Sequence, residues 1–138
     1  MIVVDFLAQN STAFYLFVFL LGLIVGSFLN VVIHRLPKMM EQQWHRDCDE
    51  LKGLAPEDAI ETEVYNLNTP ASQCPKCQHK IRPWENVPII SWLLLKGRCS
   101  NCQNPISVRY PIIEAVTGLL SLWIAFHFGF SWEAIAAL

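Results

Sequence analysis

All ten lysines and arginines of this 138-residue chain fall between Arg35 and Arg109. The flanks hold none, and from Phe6 to Ile33 there is no charged side chain of either sign. A soluble domain distributes charge over its surface, whereas this chain gathers it in the middle and leaves two apolar ends. Apolar residues make up 53% and charged residues 16%, where about 25% charged is usual. The net charge of −2 carries little information, because the charge is segregated along the chain. The pattern predicts an apolar span, a polar loop and a second apolar span.

The first predicted span, residues 13–33, reads AFYLFVFLLGLIVGSFLNVVI. At about 1.5 Å per helical residue it covers roughly 30 Å, the thickness of the hydrocarbon core. A cleaved signal peptide would need a basic leader and a small-residue cleavage site. Here Asp5 is the sole charge ahead of the span, and His34-Arg35-Leu36-Pro37 follows it. The second apolar run is Ala115–Trp132, between Glu114 and Glu133, and its predicted span is 112–132. Trp123, His127 and Trp132 suit an interfacial belt. A buried helix of a soluble domain is the competing reading of this run.

Orientation follows from the cations. Arg35, Lys38 and Arg46 closely follow the first span, and Lys96, Arg98 and Arg109 precede the second. The positive-inside rule then sets residues 1–12 outside, as a periplasmic tail, and the loop 34–111 in the cytosol. Within that loop, residues 39–72 are an acidic insert with one short helix expected around Glu41–Leu51. Residues 73–109 are basic, and Pro75, Pro83, Pro88 and Pro105 exclude a long helix there. The run Ile89–Leu95 is too short to cross a bilayer and should pack under the cysteines or lie at the membrane surface. Residues 133–138 read as the start of a further helix, cut short.

Two CxxC pairs, Cys74/Cys77 and Cys99/Cys102, lie in the basic half, twenty-one residues apart. A CxxC turn presents two thiolates on one side of a tight loop, and two such turns supply the tetrahedral sulfur set that zinc prefers. Zn2+ would also supply folding energy to a proline-rich loop too small for its own core. Disulfides would need an oxidising compartment, which the orientation argument denies. A redox dithiol would need only one CxxC, and iron could occupy the same four-sulfur geometry. Cys48, in the acidic insert, is read as an unpaired thiol.

Three motifs in order carry a resemblance. They are Gly26-Ser-Phe-Leu-Asn-Val-Val-Ile-His-Arg-Leu-Pro37; then Cys74-Pro-Lys-Cys77 with Asn86-Val-Pro-Ile-Ile-Ser-Trp92, Lys96-Gly-Arg-Cys99 and Cys102; then Arg109-Tyr-Pro-Ile-Ile-Glu-Ala-Val-Thr-Gly118. Together they resemble the amino-terminal half of the bacterial type IV prepilin leader peptidases. The resemblance implies a bifunctional enzyme of the bacterial inner membrane, serving type IV pilus assembly and type II secretion. Such enzymes cut basic leaders from prepilins and pseudopilins, then methylate the new amino terminus with S-adenosyl-L-methionine. Two aspartates sharing one proton suit the cleavage, one activating water and the other polarising the carbonyl. The aspartates of this chain, Asp5, Asp47, Asp49 and Asp58, match no family motif. The catalytic pair is therefore expected after residue 138, and the chain is expected to be an amino-terminal part unable to hydrolyse a leader alone.

The fold expected is an α-helical polytopic membrane protein, present as a fragment: two transmembrane helices flanking a cytosolic zinc-ribbon-like loop. Its partners should be prepilins and pseudopilins, the lipid bilayer and further transmembrane helices, with no nucleic acid. Candidate substrate or methyltransferase contacts are Gly97, Glu114, Arg35 and Asn30, each with a plainer role beside the functional one. Gly97 is equally a turn glycine, Glu114 a carboxylate favoured at a helix amino terminus, Arg35 a headgroup anchor, and Asn30 a helix–helix hydrogen bond. Gly22, Gly26 and Ser27 form a small-residue face suited to close packing. The rival readings are a membrane-anchored zinc-ribbon binding module without catalysis and a membrane thiol oxidoreductase.

Overall fold

The computed structural model describes residues 2–53 and 65–137. Residues 54–64 of the acidic insert, with Glu57, Asp58, Glu61 and Glu63, lie outside the described residues. Helix α1 (Ile2–Gln9) leads into a long α2 (Ser11–Leu51). A 3-10 turn (Pro83–Asn86) and a short α3 (Ile90–Leu94) follow, then α4 (Arg109–Phe128) and α5 (Trp132–Ala137). The described residues hold no strand, only isolated bridges at Gln73–Lys80 and Arg98–Pro105.

Two of these helices, α2 and α4, are long and apolar enough to cross a membrane. Their large side chains point outward. Leu16, Ile24, Phe28, Leu119 and Trp123 are each more than half exposed. Only 22% and 17% of the two apolar windows are buried, which is the reverse of a soluble core helix. Much of what faces inward is small or polar, with Phe14, Val18 and Leu23 as the apolar exceptions on α2. The buried positions of α2 include Phe14, Val18, Gly22, Gly26 and Asn30, and those of α4 are Glu114, Gly118, Ser121 and Ala125. A spacing of four along α2 keeps one stripe against its partner.

The contact is close because the seam lacks side chains. A Cβ built on Gly22 would meet the Ser121 hydroxyl at 2.6 Å, and one on Gly26 would meet the Glu114 Cα at 2.7 Å. The small-residue face is thus used within this chain, against α4. Beyond the seam, Phe14 packs edge-on against Phe130 at 5.3 Å between ring centroids.

Helix ends differ from the spans read in the sequence. The helix begun at the first span runs on through Pro37 to Leu51, so the short helix expected near Glu41 is continuous with it. Forty-one residues reach about 60 Å at the usual helical rise, twice a hydrocarbon core. Helix α4 starts at Arg109 and stops at Phe128, where Gly129 turns the chain with φ 62° and donates its N–H to Ala125. Trp132 consequently opens α5, with the Ser131 hydroxyl accepting the Ala134 N–H at 3.3 Å. The first twelve residues hold α1, broken from α2 at Asn10, whose side chain turns back to the Phe6 carbonyl.

Substituting alanine at Gly26 or Gly22 should destabilise the helix pair by about 1–3 kcal/mol, because backbone or packed side chains must part. Unfolding of the detergent-solubilised protein by a denaturing detergent reads this directly. Ile24→Ala, at a position 60% exposed, should change little.

Candidate metal centre and adjoining cavity

The loop between α2 and α4 folds into two copies of one knuckle. In the first, the Cys74 N–H donates to the His79 carbonyl and the Gln78 N–H to the Cys74 carbonyl, both at 2.9 Å. In the second, the Cys99 N–H donates to the Asn104 carbonyl at 2.9 Å and the Gln103 N–H to the Cys99 carbonyl at 3.1 Å. Gln78 and Gln103 take equivalent positive φ values of 57° and 58°, which reverses the chain after each second cysteine.

The knuckles face one another, and all four sulfurs lie within 4.8 Å of each other. Cys74 and Cys102 are 3.7 Å apart, and Cys77 and Cys99 are 3.9 Å apart. A tetrahedron with metal–sulfur bonds of about 2.3 Å has edges near 3.8 Å. The four cysteines are unbridged, and their separations match ligand spacing. The set can therefore hold one metal ion.

Local groups prepare the sulfurs for charge. The His79 backbone N–H, then the Asn101 side chain, pull the Cys77 thiol down to about 6. The backbone N–H groups of Cys77 and Lys76 hold Cys74 below the ordinary thiol value. At Cys102 the Asn104 N–H acts in the same direction. Desolvation of the sulfur and its three sulfur neighbours outweigh it, pushing that thiol up to about 11. One thiolate forms easily, and crowding opposes the next until a cation arrives.

Glu85 ties the knuckles together. Its carboxylate accepts the Arg82 N–H at 2.9 Å and lies 3.6 Å from His79 Nε2. The Arg82 N–H first, then the Ser100 hydroxyl, hold it below the usual carboxylate range.

Beneath the knuckles a cavity of about 600 Å³ opens against the middle of α2 and the start of α4. Three of the four candidate residues line it: Asn30, Arg35 and Glu114. Asn30 donates to the Tyr110 carbonyl at 3.1 Å and to the Gly26 carbonyl at 3.3 Å, joining the two helices. Arg35 is 6% exposed and so does not face lipid headgroups. It donates to the Asn66 carbonyl at 2.9 Å and the Pro70 carbonyl at 2.6 Å, clamping the chain that enters the first knuckle. Glu114, 7% exposed, accepts the Ile89 N–H at 2.8 Å.

Gly97 stands apart from those three, in the turn before the second knuckle. It has φ 66°, and an added Cβ would lie 2.7 Å from the Trp92 ring. The Trp92 indole N–H in turn reaches the Ile106 carbonyl at 3.3 Å. The run Ile89–Leu95 divides: Trp92 packs under the knuckle, while Leu93 and Leu94 are exposed.

Sequence reasoning did not find the roles of Glu85 and Ile89, and placed Trp92 only as part of a run that could pack under the cysteines. Ile89 has φ 58° and ψ −50°, centred in a tight turn closed by the Ile90 N–H on Pro88. That is an outlying conformation for a β-branched residue. Pro88 offers the only local signal of a turn there.

Three outcomes test the centre. Elemental analysis should find about one metal per chain, and Cys99→Ser should abolish it and lower the melting temperature. Zinc added to metal-free protein at neutral pH should release protons, one of them from Cys102. Affinity should then weaken as pH falls through about 6, where Cys77 regains its proton; calorimetry in buffers of different ionisation heat measures both. Gly97→Ala should destabilise the knuckle by about 1–3 kcal/mol through its positive φ and the Trp92 contact, read as faster metal loss to a chelator.

Comparison with known proteins bears on this geometry. A relative from Pseudomonas aeruginosa named prepilin leader peptidase/N-methyltransferase is 55% identical over 97% of this chain. Proteins of the same name from Stutzerimonas stutzeri and Neisseria gonorrhoeae are 55% and 50% identical over 98% and 86% of it. The chain spans 46%, 46% and 41% of those three proteins. No solved structure matches it. The family model described as the bacterial peptidase A24 N-terminal domain matches residues 20–128, which include the helix seam and all four cysteines of the quartet. On that match the chain belongs to the bacterial peptidase A24 N-terminal domain family.

Proposed function

We propose that this chain acts as part of a prepilin leader peptidase and N-methyltransferase. The supporting observation is identity of about half or more along nearly the whole chain to proteins bearing that name. The substrates in this reading are prepilins and pseudopilins of type IV pilus assembly or type II secretion. Their basic leader is cut and the new amino terminus is methylated by S-adenosyl-L-methionine. The site of action is the bacterial inner membrane, with α2 and α4 spanning it and residues 34–111 in the cytosol.

The metal at Cys74, Cys77, Cys99 and Cys102 is zinc in this reading, and its role is structural. Four thiolates complete a tetrahedron and leave no position for water or substrate. The ion holds the two knuckles against each other over the cavity. Asn30, Arg35, Glu114 and Gly97 then serve as the substrate or methyl-donor contacts, the first three on the cavity wall and Gly97 through the knuckle above it.

Cleavage needs two carboxylates within reach of one peptide bond. Asp47 and Asp49 lie near the far end of α2 and are exposed, and Asp5 is at the other end of the protein. Asp58 lies outside the described residues and matches no family motif, and in this reading hydrolysis belongs to aspartates outside residues 1–138.

The test is pilin processing in a bacterium lacking its own enzyme. The enzyme carrying this segment should yield pilin without its leader and with one added methyl, by mass spectrometry. Residues 1–138 alone should leave the leader in place. A zinc-bearing anchor without chemistry would leave pilin unmodified in both cases.

A further inference from the structure

The cavity wall holds two acceptors with capacity to spare: an amide oxygen without a donor and a carboxylate without a cation among the described residues. Asn30 is 3% exposed, and its amide nitrogen is committed to two carbonyls, Gly26 and Tyr110. Those two carbonyls fix which end of the amide is nitrogen, since an oxygen there would face two other oxygens. The remaining atom, Oδ1, is buried and has no hydrogen-bond partner among the described residues. A buried polar atom without a partner costs free energy comparable to a lost hydrogen bond.

Glu114 is the second acceptor. It lies one helical turn beyond Tyr110, and a helical side chain leans toward the amino terminus of its helix. Its carboxylate thus leans toward the level at which Asn30 meets Tyr110. One oxygen takes the Ile89 N–H at 2.8 Å. Among the described residues no cation pairs with it, the one ion pair being His79–Glu85. Arg35 on the same wall is occupied by the carbonyls of Asn66 and Pro70. His34 and Lys38 also line the cavity and form no ion pair with Glu114. The Ile89 N–H is delivered through a strained turn, with φ 58°, and strain of this kind collects where a site must be held in shape.

We propose that Asn30 Oδ1 and the Glu114 carboxylate form a receptor for a primary ammonium group entering this cavity. An ammonium offers three donors and one positive charge, which satisfies the orphan amide oxygen and the uncompensated carboxylate together. The inference rests on the methyltransferase reading, which supplies two amines of this chemistry. One is the free α-amino group of a cut peptide; the other is the amino-acid end of the methyl donor.

Binding is measured by calorimetry on the metal-loaded chain in lipid nanodiscs. The probes are a short apolar peptide with a free α-amine, its N-acetyl form, S-adenosylmethionine and its deaminated analogue. For the amine that uses the site, the free form should bind about 10-fold or more tighter than the blocked form, as for a charge-assisted hydrogen-bonded pair. Glu114→Gln keeps an oxygen for the Ile89 N–H and removes the charge, so it should bring that ratio to within about 2-fold. Collapse of the peptide ratio assigns the site to the substrate amine, and collapse of the donor ratio assigns it to the methyl donor. Metal content and melting temperature verify that the variant is folded; if it is not, the ratios of the unaltered protein decide. Ratios near one in the unaltered protein, or a ratio that survives in folded Glu114→Gln, overturn the proposal. Because binding is read without methyl transfer, failure of the methyltransferase reading would appear separately, as unmethylated pilin with Glu114-dependent amine binding intact.

Discussion

Close approach of two helix backbones at Gly22 and Gly26 is the contact from which the rest of this structure follows. Where lipid surrounds the helices, apolar side chains gain little by leaving it, so association depends on fit and on internal hydrogen bonds. The glycines supply the fit. Once the backbones are this near, Asn30 can reach the Tyr110 carbonyl, and Glu114 is buried where its carboxylate meets the Ile89 N–H. Each polar contact depends on the distance the glycines permit. A pair of helices separated by leucines would leave Asn30 and Glu114 without these partners.

The knuckle lobe solves a different problem. It carries few buried apolar residues, with Cys74 and Cys99 among the most enclosed, so it has little hydrophobic stabilisation of its own. Its order comes from sulfur geometry, from backbone N–H groups aimed at the thiolates, and from Glu85 bridging the two knuckles. Arg35 fastens this lobe to α2 through backbone carbonyls, so the anchor depends on chain geometry and not on the identity of the residues that accept. The lobe and the helix seam meet at Ile89 and Glu114, which makes that junction the place where a lobe able to hold a metal borders the cavity.

Much of this was readable in the residues. Charge segregation announced two apolar helices with a polar loop between them, and the repeated CxxC announced four sulfurs placed so that they can hold one ion. Both are local signals: apolar run length and cysteine spacing are fully contained in short stretches. The helix limits were less accessible. The first span was ended at residue 33, where the apolar run stops, but a helix can run on past the membrane edge, and the missing N–H of Pro37 is tolerated by a long helix already formed on either side. Gly129, in contrast, ends α4 because a glycine takes the positive φ that closes the helix. Arg35 was read as a headgroup anchor because nothing near it in the chain indicates carbonyls 31 and 35 residues away.

The sequence by itself determined the element types, the ligand set and the small-residue face, since these depend on periodicity, spacing and side-chain volume along one stretch of chain. Only the tertiary structure decided which surface the glycines meet and that, among the described residues, Asn30 keeps an unused oxygen and Glu114 stands without a cation. Those are facts about pairing across long separations. A side chain's partners are fixed by where other segments come to rest, and a polar atom left unpaired has no signature in the residue that carries it.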